Sequence, residues 1–270
     1  MSSGEIHTHR WDPPRGVARR RHGVYLLHGM GEHAARYARL ATRLSEAGYR
    51  VAAHDHPGHG RSGGPRGVAR PADALVGRAA ERLAAFAAEC AAPPLLFGHS
   101  LGGVVATELV LGRRLPVAGL VLSAPAIVPR VSGFNRVRLR VMSALAPSYA
   151  LELPYDASQL THDPEQMAIA TADELIHGFK SAGLVRWMID AAHRAIEAAD
   201  TLTVPTLLLV AEEDRLIDVA RTLDFAARAP AELVTVHRYA GYHHELLNET
   251  PERRARVLAD IVRWLDALPA

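Results

Sequence analysis

The sequence contains a single cysteine, Cys90, and a single lysine, Lys180, among its 270 residues. One cysteine cannot form a disulfide within the chain, which excludes a disulfide-stapled fold and fits a reducing compartment. No apolar run approaches the roughly 18 residues that a membrane-spanning helix needs. The first 21 residues lack the apolar segment of a secretory signal. We therefore expect a cytoplasmic protein.

An excess of charge of either sign is also missing. The formal net charge is +2, and 49% of the residues are hydrophobic against 22% charged, so the chain is expected to be globular rather than disordered. The basic residues are spread along the chain, and we therefore expect no nucleic-acid partner. A chain of this length buries a full core, and α/β folds of this size often form one body.

Short apolar runs alternate with longer helical patterns over most of the chain. Runs unbroken by polar residues and separated by helices are typical of parallel strands that are covered on both faces. The sequence therefore predicts an α/β fold with a mostly parallel central sheet flanked by helices. The predicted strands are 24–27, 50–53, 95–97, 119–122, 206–210 and 233–236.

The stretch from residue 127 to residue 199 breaks this alternation. No run in it resembles a buried parallel strand, and the apolar residues follow a helical spacing. We interpret it as a helical cap inserted between two strands of the sheet. The predicted domains are a core of residues 1–126 and 200–270 and a cap of residues 127–199.

The strongest motif is the pentapeptide G-H-S-L-G at residues 98–102. A G-x-S-x-G sequence between a strand and a helix predicts a sharp turn with the serine at its apex. A Cβ atom at either glycine would clash in so tight a bend. We therefore predict that Ser100 is a nucleophile; the alternative is a serine that only caps the following helix.

A serine hydroxyl needs a base, and in this kind of fold the acid and the histidine follow the serine in that order. Acidic residues follow the predicted strand 206–210. We predict Asp214 as the acid because Asp-Arg begins the turn into the next helix, with Glu213 and Asp218 as alternatives. After the last predicted strand, His243 and His244 compete for the role of the base.

Two backbone amides are needed to stabilise an oxyanion. The amide of Leu101, directly after the nucleophile, is the first candidate. The second is expected in the loop after the first core strand, where Met30 is the natural candidate. A histidine-rich loop at residues 54–60 carries residue types that bind zinc. Because Pro and Gly mark a tight turn there, we interpret its histidines as hydrogen-bonding residues at the rim of the site and expect no metal or cofactor.

Five segments carry a family resemblance. They are H-G-M-G-E-H at 28–33 with R-Y at 36–37, H-D-H-P-G-H-G-R-S at 54–62, G-H-S-L-G-G at 98–103, L-T-H-D-P-E at 160–165 and G-Y-H-H-E at 241–245. Together they resemble the monoacylglycerol lipases and lysophospholipases of the serine-aminopeptidase-like branch of the α/β-hydrolases. The resemblance covers nearly the whole chain and implies an α/β-hydrolase fold. In the family pattern the histidine directly before the glutamate is catalytic, which favours His244.

The resemblance implies a serine hydrolase that cleaves the carboxylic esters of single-acyl lipids through an acyl-enzyme intermediate. A lysophospholipase or a small-ester carboxylesterase is the alternative, in which Arg136, Arg138 and Arg140 meet a phosphate group or form a solvated basic face. An inactive relative that serves as a receptor or interaction domain is a further alternative, because a fold does not fix a function. The expected partner is a small acyl ester or a single-acyl lipid.

The apolar part of the predicted cap has three possible roles. It would wall an acyl tunnel above Ser100, or it would also dip into a membrane surface and make the protein peripheral at the membrane. A third possibility is that this face simply packs on the body of the protein. The sequence does not predict an oligomeric state.

Overall fold

The computed structural model describes residues 4–69, 74–127, 133–153 and 156–268, with the side chains of residues 133–136 outside the description. The strands are β1 Thr8–Trp11, β2 Val24–Leu27, β3 Val51–His54, β4 Leu95–His99, β5 Gly119–Ser123, β6 Ala150–Glu152, β7 Phe179–Ser181, β8 Thr206–Ala211 and β9 Val234–Tyr239. The helices are α1 Ala38–Glu46, α2 Ala74–Ala87, α3 Leu101–Leu111, α4 Gly133–Leu145, α5 Pro164–Ala172, α6 Ala182–Glu197, α7 Val219–Arg228 and α8 Pro251–Asp266.

Seven strands form one sheet in the order β1-β3-β2-β4-β5-β8-β9. All neighbouring pairs are parallel except β1 with β3, which are antiparallel. The predicted α/β fold with a mostly parallel sheet is confirmed, and so are the six predicted strands, although β3 begins one residue later and β9 extends to Tyr239. The sequence analysis missed β1 because its residues, T-H-R-W, alternate between exposed and half-buried and form no apolar run.

Both faces of the sheet are covered, which explains why its central strands are apolar without interruption. Successive side chains of a strand point to opposite faces. Leu27 accordingly joins the core cluster that includes α2 and α3, whereas Leu26 joins the cluster that includes α1 and α8. All four residues of β2 are buried. The parallel strands therefore bring their carboxyl ends to one edge, where loops that carry polar residues meet.

The stretch predicted as a cap contains α4, α5 and α6, as its helical pattern indicated. It also contains an antiparallel ribbon of β6 and β7 that was not predicted, because each strand has only three residues and no buried apolar run. Leu184 and Met188 of α6 join the core cluster beside α3. The division at residues 127 and 199 therefore stays a prediction.

No helix in the described ranges is both long enough and apolar enough to cross a membrane.

Candidate active site

Ser100 lies at the sharp turn between β4 and α3. Its φ of 51° is positive, a conformation that non-glycine residues rarely adopt and that costs backbone strain. Two hydrogen bonds hold the turn: the Ser100 amide donates to the carbonyl oxygen of Ser123 at 3.1 Å, and the Ala126 amide donates to that of Ser100 at 3.0 Å. The turn places Ser100 in the wall of a cavity.

The glycines around Ser100 are required by close backbone contacts. A Cβ atom at Gly98 would meet the carbonyl oxygen of Gly102, and one at Gly102 would meet that of Leu27. A Cβ atom at Gly103 would lie 2.7 Å from a side-chain carbon of Pro125. Strand and helix therefore approach each other as closely as the G-x-S-x-G motif predicted.

Asp214 follows β8 and His244 follows β9, two neighbouring strands of the sheet. His244 Nδ1 lies 2.6 Å from Asp214 Oδ2. The other carboxylate oxygen of Asp214 accepts hydrogen bonds from the amides of Leu216 and Ile217 at 2.8 and 3.0 Å. Both side chains are almost fully buried, with 4% and 2% exposure for His244 and Asp214. The carboxylate is therefore held so that it fixes which ring nitrogen of His244 carries a proton.

The local charges shift the pKa values of this pair in opposite directions. Burial by itself would raise the pKa of Asp214, but the charge and hydrogen bond of His244 and the two amides lower it. Burial by itself would lower the pKa of His244, but the charge and hydrogen bond of Asp214 raise it above its ordinary value. The neighbouring His99, whose ring centre lies 4.8 Å from that of His244, has its pKa lowered to about 4 by burial and by the charge of His244.

Ser100 and His244 line the same cavity. In the described chain, His244 forms its side-chain hydrogen bond with Asp214 and none with the hydroxyl of Ser100. Catalytic hydrogen bonds are often long in ligand-free enzymes and tighten only when substrate binds. The nucleophile and base roles of these two residues stay predictions.

The alternative acids and the alternative base have other surroundings. Neither ring nitrogen of His243 has a hydrogen-bond partner in the described structure, and neither contacts Asp214. Asp218 caps α7 by accepting hydrogen bonds from two amides of its first turn. Glu213 is exposed. The structure thus brings His244 to Asp214 and brings none of the alternatives to that position.

The two amides predicted to stabilise an oxyanion lie on either side of the nucleophile. Leu101 begins α3, and Met30 lies in the loop after β2, beside Gly29 in the cavity wall. Neither amide donates a hydrogen bond within the described residues. The Gly29 amide donates to Glu32 Oε1 at 2.6 Å, which fixes this loop next to Ser100. Both amides are therefore available to a ligand atom, and their role stays a prediction.

Arg36 bridges two buried carboxylates in the wall of the cavity, a feature that was not predicted from the sequence. Its guanidinium lies 2.6 Å from Glu32 and 2.6 and 2.7 Å from the two oxygens of Glu245. Tyr37 also donates to Glu32, at 2.6 Å. Although burial would raise the pKa of Glu245, Arg36 lowers it, so the carboxylate is charged. The bridge ties the loop that follows β2 to the loop that carries His244.

The sequence signal for this bridge was present in two of the quoted segments. Glu32 and Arg36 belong to the first family segment and Glu245 to the last. Their meeting could not be derived from spacing, because Arg36 and Glu245 are 209 residues apart.

The cavity has a volume of about 330 Å³ and is lined by both apolar and polar side chains. Its apolar lining is Met30, Ala126, Leu153, Leu160, Val185, Met188, Leu216 and Ile217. Its polar lining, apart from the residues described above, is Asp156, Gln159, His177 and Lys180. Burial lowers the pKa of Lys180. Parts of the predicted cap and of the core therefore form one wall.

The histidines of the loop at residues 54–60 were expected at the rim of the site, but they are fully buried. His54 Nδ1 lies 2.9 Å from the hydroxyl of Tyr25, and the His56 amide donates to His28 Nε2 at 2.8 Å. Burial lowers the pKa of His56 to about 4 and that of His59 to about 3, so both rings are neutral near pH 7. They act as hydrogen-bonding residues, as expected, but inside the protein.

Two other groups of side chains lie close enough to hold a metal ion in the described structure. One consists of His7, His9 and Asp55, and the other of His162, Glu213 and His243. Neither group includes Ser100, Asp214 or His244.

Comparisons with known proteins agree on one family. The family model of serine aminopeptidase, S33, matches residues 18–251. A monoacylglycerol lipase of Mycolicibacterium smegmatis is 37% identical over 270 aligned residues, covering 94% of this chain and 90% of that protein. The human monoglyceride lipase is 31% identical and covers 90% of this chain and 81% of that protein. The crystal structure of a monoacylglycerol lipase of Paleococcus ferrophilus is 29% identical, with a TM-score of 0.87, and covers 98% of this chain and 100% of that chain.

The raised pKa of His244 predicts how hydrolysis depends on pH. A general base works only when neutral, so kcat/KM should fall as the pH falls, with a midpoint above the ordinary histidine value of 6.5. Asp214→Asn removes the charge that raises this pKa and should lower both the midpoint and, by about 10⁴-fold, the rate. A pH–rate profile with a soluble short-chain ester measures this. Asp218→Asn is the matched control and should leave the midpoint in place; a wild-type midpoint below 6.5 would contradict the prediction.

The Arg36 bridge predicts a large stability effect. Arg36→Met leaves the buried carboxylates of Glu32 and Glu245 without their partner, which should lower the free energy of unfolding by about 3–5 kcal/mol. Arg43→Met is the control, because Arg43 and its partner Glu46 are both more than half exposed and 3.9 Å apart; it should cost less than about 0.5 kcal/mol. Urea unfolding measures both, and equal losses in the two variants would refute the structural role of the bridge.

Proposed function

The chain belongs to the serine aminopeptidase S33 family, in the branch of the monoacylglycerol lipases, and we propose that it hydrolyses the carboxylic esters of single-acyl lipids. It is an ester hydrolase of the α/β-hydrolase fold rather than an inactive relative of these enzymes. The observation that supports the proposed substrate most is the shared cavity: Ser100, His244 and a largely apolar wall line one space of about 330 Å³.

The proposed reaction uses Ser100 and His244, which line this cavity, together with Asp214 and two backbone amides. Ser100 Oγ attacks the ester carbonyl carbon while His244 Nε2 accepts its proton, and Asp214 stabilises the imidazolium. The carbonyl oxygen becomes an anion that the amides of Met30 and Leu101 stabilise. The tetrahedral intermediate collapses with loss of the alcohol, which takes the proton from His244. Water then attacks the acyl-serine by the same route, with His244 as base, and releases the fatty acid.

The apolar side chains that line the cavity suit the acyl chain of a monoacylglycerol, and the polar ones suit its glycerol group. An acyl chain gains free energy from burial against apolar side chains, at about 0.8 kcal/mol per methylene group. The polar side chains offer hydrogen bonds to free hydroxyl groups, and a buried polar group that finds no partner costs free energy. A single-acyl ester satisfies both parts of the wall at once.

The apolar wall predicts a dependence on acyl length. If each methylene group contributes about 0.8 kcal/mol, kcat/KM should rise by up to about fourfold per added methylene until the cavity is filled. Titration of released fatty acid from monoacylglycerols of increasing chain length measures this. Ser100→Ala is the negative control and should also abolish labelling by a fluorophosphonate. A flat profile without monoacylglycerol turnover would sink the lipid assignment and leave a small-ester carboxylesterase.

A lysophospholipase activity is the second candidate, favoured by the positive charge of Lys180 in the cavity wall. Arg138 and Arg140 of α4 are exposed, and Lys180, the single lysine of the chain, lines the cavity. The side chain of Arg136 lies outside the described residues. In the same assay, faster turnover of a lysophospholipid than of the monoacylglycerol with the same acyl chain would favour this candidate.

The chain exposes an apolar surface that supports contact with a lipid surface. Val137, Val141 and Leu145 are 63%, 51% and 81% exposed and are spaced four residues apart, so they lie on one face of α4. Tyr149, Leu151 and Leu153, which follow α4 in the chain, are 57%, 46% and 45% exposed, and Leu153 also lines the cavity. Exposed apolar side chains that form a contiguous patch are typical of interaction sites. We refer to these six residues as the apolar face and propose that it contacts the membrane from which the substrate is drawn.

The apolar face predicts a selective defect. Burying a side chain such as Val141 or Leu145 is worth about 1.5–3 kcal/mol, so the double variant Val141→Asp with Leu145→Asp should reduce binding to vesicles by at least about tenfold. Co-sedimentation with phosphatidylglycerol-containing vesicles measures binding. Turnover of a soluble short-chain ester should not change. Val236→Asp, at an exposed position on the edge strand β9, is the matched control; an equal defect in it would argue against a dedicated membrane face.

A further inference from the structure

Three side chains of types that bind metal ions meet where two exposed residues approach a buried one. His162 comes from the segment before α5, Glu213 from the loop after β8, and His243 from the loop after β9. One ring nitrogen of each histidine and one carboxylate oxygen of Glu213 all lie within 4.8 Å of one another. The three residues are far apart in sequence, so the fold alone creates this group.

His243 gives independent evidence that the group is incomplete without a ligand. The residue is 4% exposed, yet neither of its ring nitrogens has a hydrogen-bond partner in the described structure. A buried polar group without a partner destabilises the fold, and such groups are rare in folded proteins. The ring of His162 stacks on it with centres 3.7 Å apart, and the backbone of Thr161 lies near it without meeting hydrogen-bond geometry.

We propose that His162, Glu213 and His243 form a binding site for a divalent transition metal ion of the zinc type. Two imidazoles and one carboxylate are a ligand set that binds zinc and leaves a position for water. Zinc–nitrogen bonds are about 2.0–2.1 Å long, so the ligand atoms must approach one another and the histidine stack must open. His162 and Glu213 are exposed and have room to rotate toward the buried His243.

A second layer of contacts already orients two of these ligands. The fully buried Glu249 accepts a hydrogen bond from the His243 amide at 2.9 Å, and its Oε1 lies 2.8 Å from His162 Nδ1. A metal-binding histidine usually donates a hydrogen bond from its other ring nitrogen to a carboxylate or carbonyl oxygen. This hydrogen bond fixes the proton on that nitrogen and leaves the lone pair of the first nitrogen free for the metal ion. The buried carboxylate thus favours the form of His162 that binds a metal.

Two cations oppose the proposed ion: Arg253, and Arg215, which is close enough to act electrostatically on His243. Arg253 Nη1 lies 2.8 Å from His162 Nδ1 and 2.7 Å from the carbonyl oxygen of Gly241. Nδ1 of His162 either accepts a hydrogen bond from Arg253 or donates one to Glu249. A metal ion bound to Nε2 requires the proton to be on Nδ1 and therefore favours donation to Glu249. The negative charges of Glu213 and Glu249 together offset the two guanidinium groups, so binding depends on the bonds that the two imidazoles and the Glu213 carboxylate form with the ion.

The second trio of the described structure lacks these features. Asp55 already accepts hydrogen bonds from the amides of Ala34 and Arg61 and lies 3.1 Å from His9. No ring nitrogen of His7 or His9 is a buried atom without a partner. The lone pairs of its carboxylate are therefore largely engaged.

The proposed ion would connect three loops that the reaction needs. Glu213 and His243 directly precede Asp214 and His244 in the chain, and His162 lies in the predicted cap. A ligand that binds only the folded state stabilises it in proportion to the logarithm of its concentration over its Kd. Metal binding should therefore stabilise the attachment of the cap to both loops. This inference does not depend on the substrate proposed above.

Titration of the chelator-treated full chain with zinc chloride tests the site. Calorimetry should detect one equivalent of zinc per chain, and the melting temperature should rise with zinc concentration. His162→Gln and Glu213→Gln should each weaken zinc binding by at least about tenfold. The exposed His193→Gln and Glu232→Gln are the matched controls and should bind zinc as the wild type does. Circular dichroism establishes that the variants are folded.

Three results would overturn the proposal. The first is a wild-type protein whose melting temperature does not change with zinc. The second is unchanged zinc affinity in both His162→Gln and Glu213→Gln, which would mean binding at scattered surface groups. The third is loss of binding in His9→Gln but not in His162→Gln, which would assign the ion to the other trio.

Discussion

The turn at Ser100 leaves no room for a side-chain carbon at residue 98 or residue 102, and much of the site follows from that constraint. Because β4 and α3 touch through Gly98 and Gly102, the serine between them is forced to a positive φ and into the cavity wall. Among the described residues, the same bend leaves the Leu101 amide at the start of the helix without a hydrogen-bond acceptor. A strained backbone of this kind persists only where the surrounding structure over-determines it. Here the hydrogen bonds to Ser123 and Ala126 do so.

The bend alone would not assemble a catalytic site, because the other groups come from separate loops. Arg36 holds two of these loops together by ion pairs: it joins the loop of Met30 to the loop of His244 through Glu32 and Glu245. Removing two carboxylates and a guanidinium from water is costly, so the bridge is a weak source of net stability. Instead, the bridge restricts the relative positions of the two loops, because they cannot separate without leaving a buried charge unpaired. Specific positioning is what proton transfer over hydrogen-bond distances requires.

The sequence predicted those parts of the molecule whose physical requirements are local. Buried parallel strands need continuous apolar runs, so the interior strands β2, β3, β4, β5 and β8 were found, and the edge strand β9 was found as well. The short and partly exposed β1, β6 and β7 carry no such signal. Ser100 was recognisable because its turn demands glycine on both sides. Asp214 followed from its place after a late strand. His243 and His244 are adjacent, and only the backbone path of their loop decides which ring reaches Asp214. The family pattern was therefore needed to choose His244 as the predicted base. The Arg36 bridge was not derivable, because nothing local requires residues 209 positions apart to meet.

The predicted cap is attached to the core at the loops that carry the chemistry. The His177 amide donates to the carbonyl oxygen of Gly31 at 2.9 Å, directly beside Met30. The Glu245 amide donates to the carbonyl oxygen of Leu160 at 2.8 Å, directly after His244. These are backbone hydrogen bonds, so they constrain the path of each loop whatever the side chains are.

It follows that the predicted cap would be more than a cover for the acyl chain of the proposed substrate. A displacement large enough to admit a lipid must either break these two bonds or carry the attached loops with it. The first alternative would leave backbone groups unpaired, at a cost of about 1–3 kcal/mol for each one that stays buried. The second would move Met30 and His244 relative to Ser100. Either way, the position of the cap and the geometry of the catalytic groups are physically coupled, and the coupling acts through the main chain.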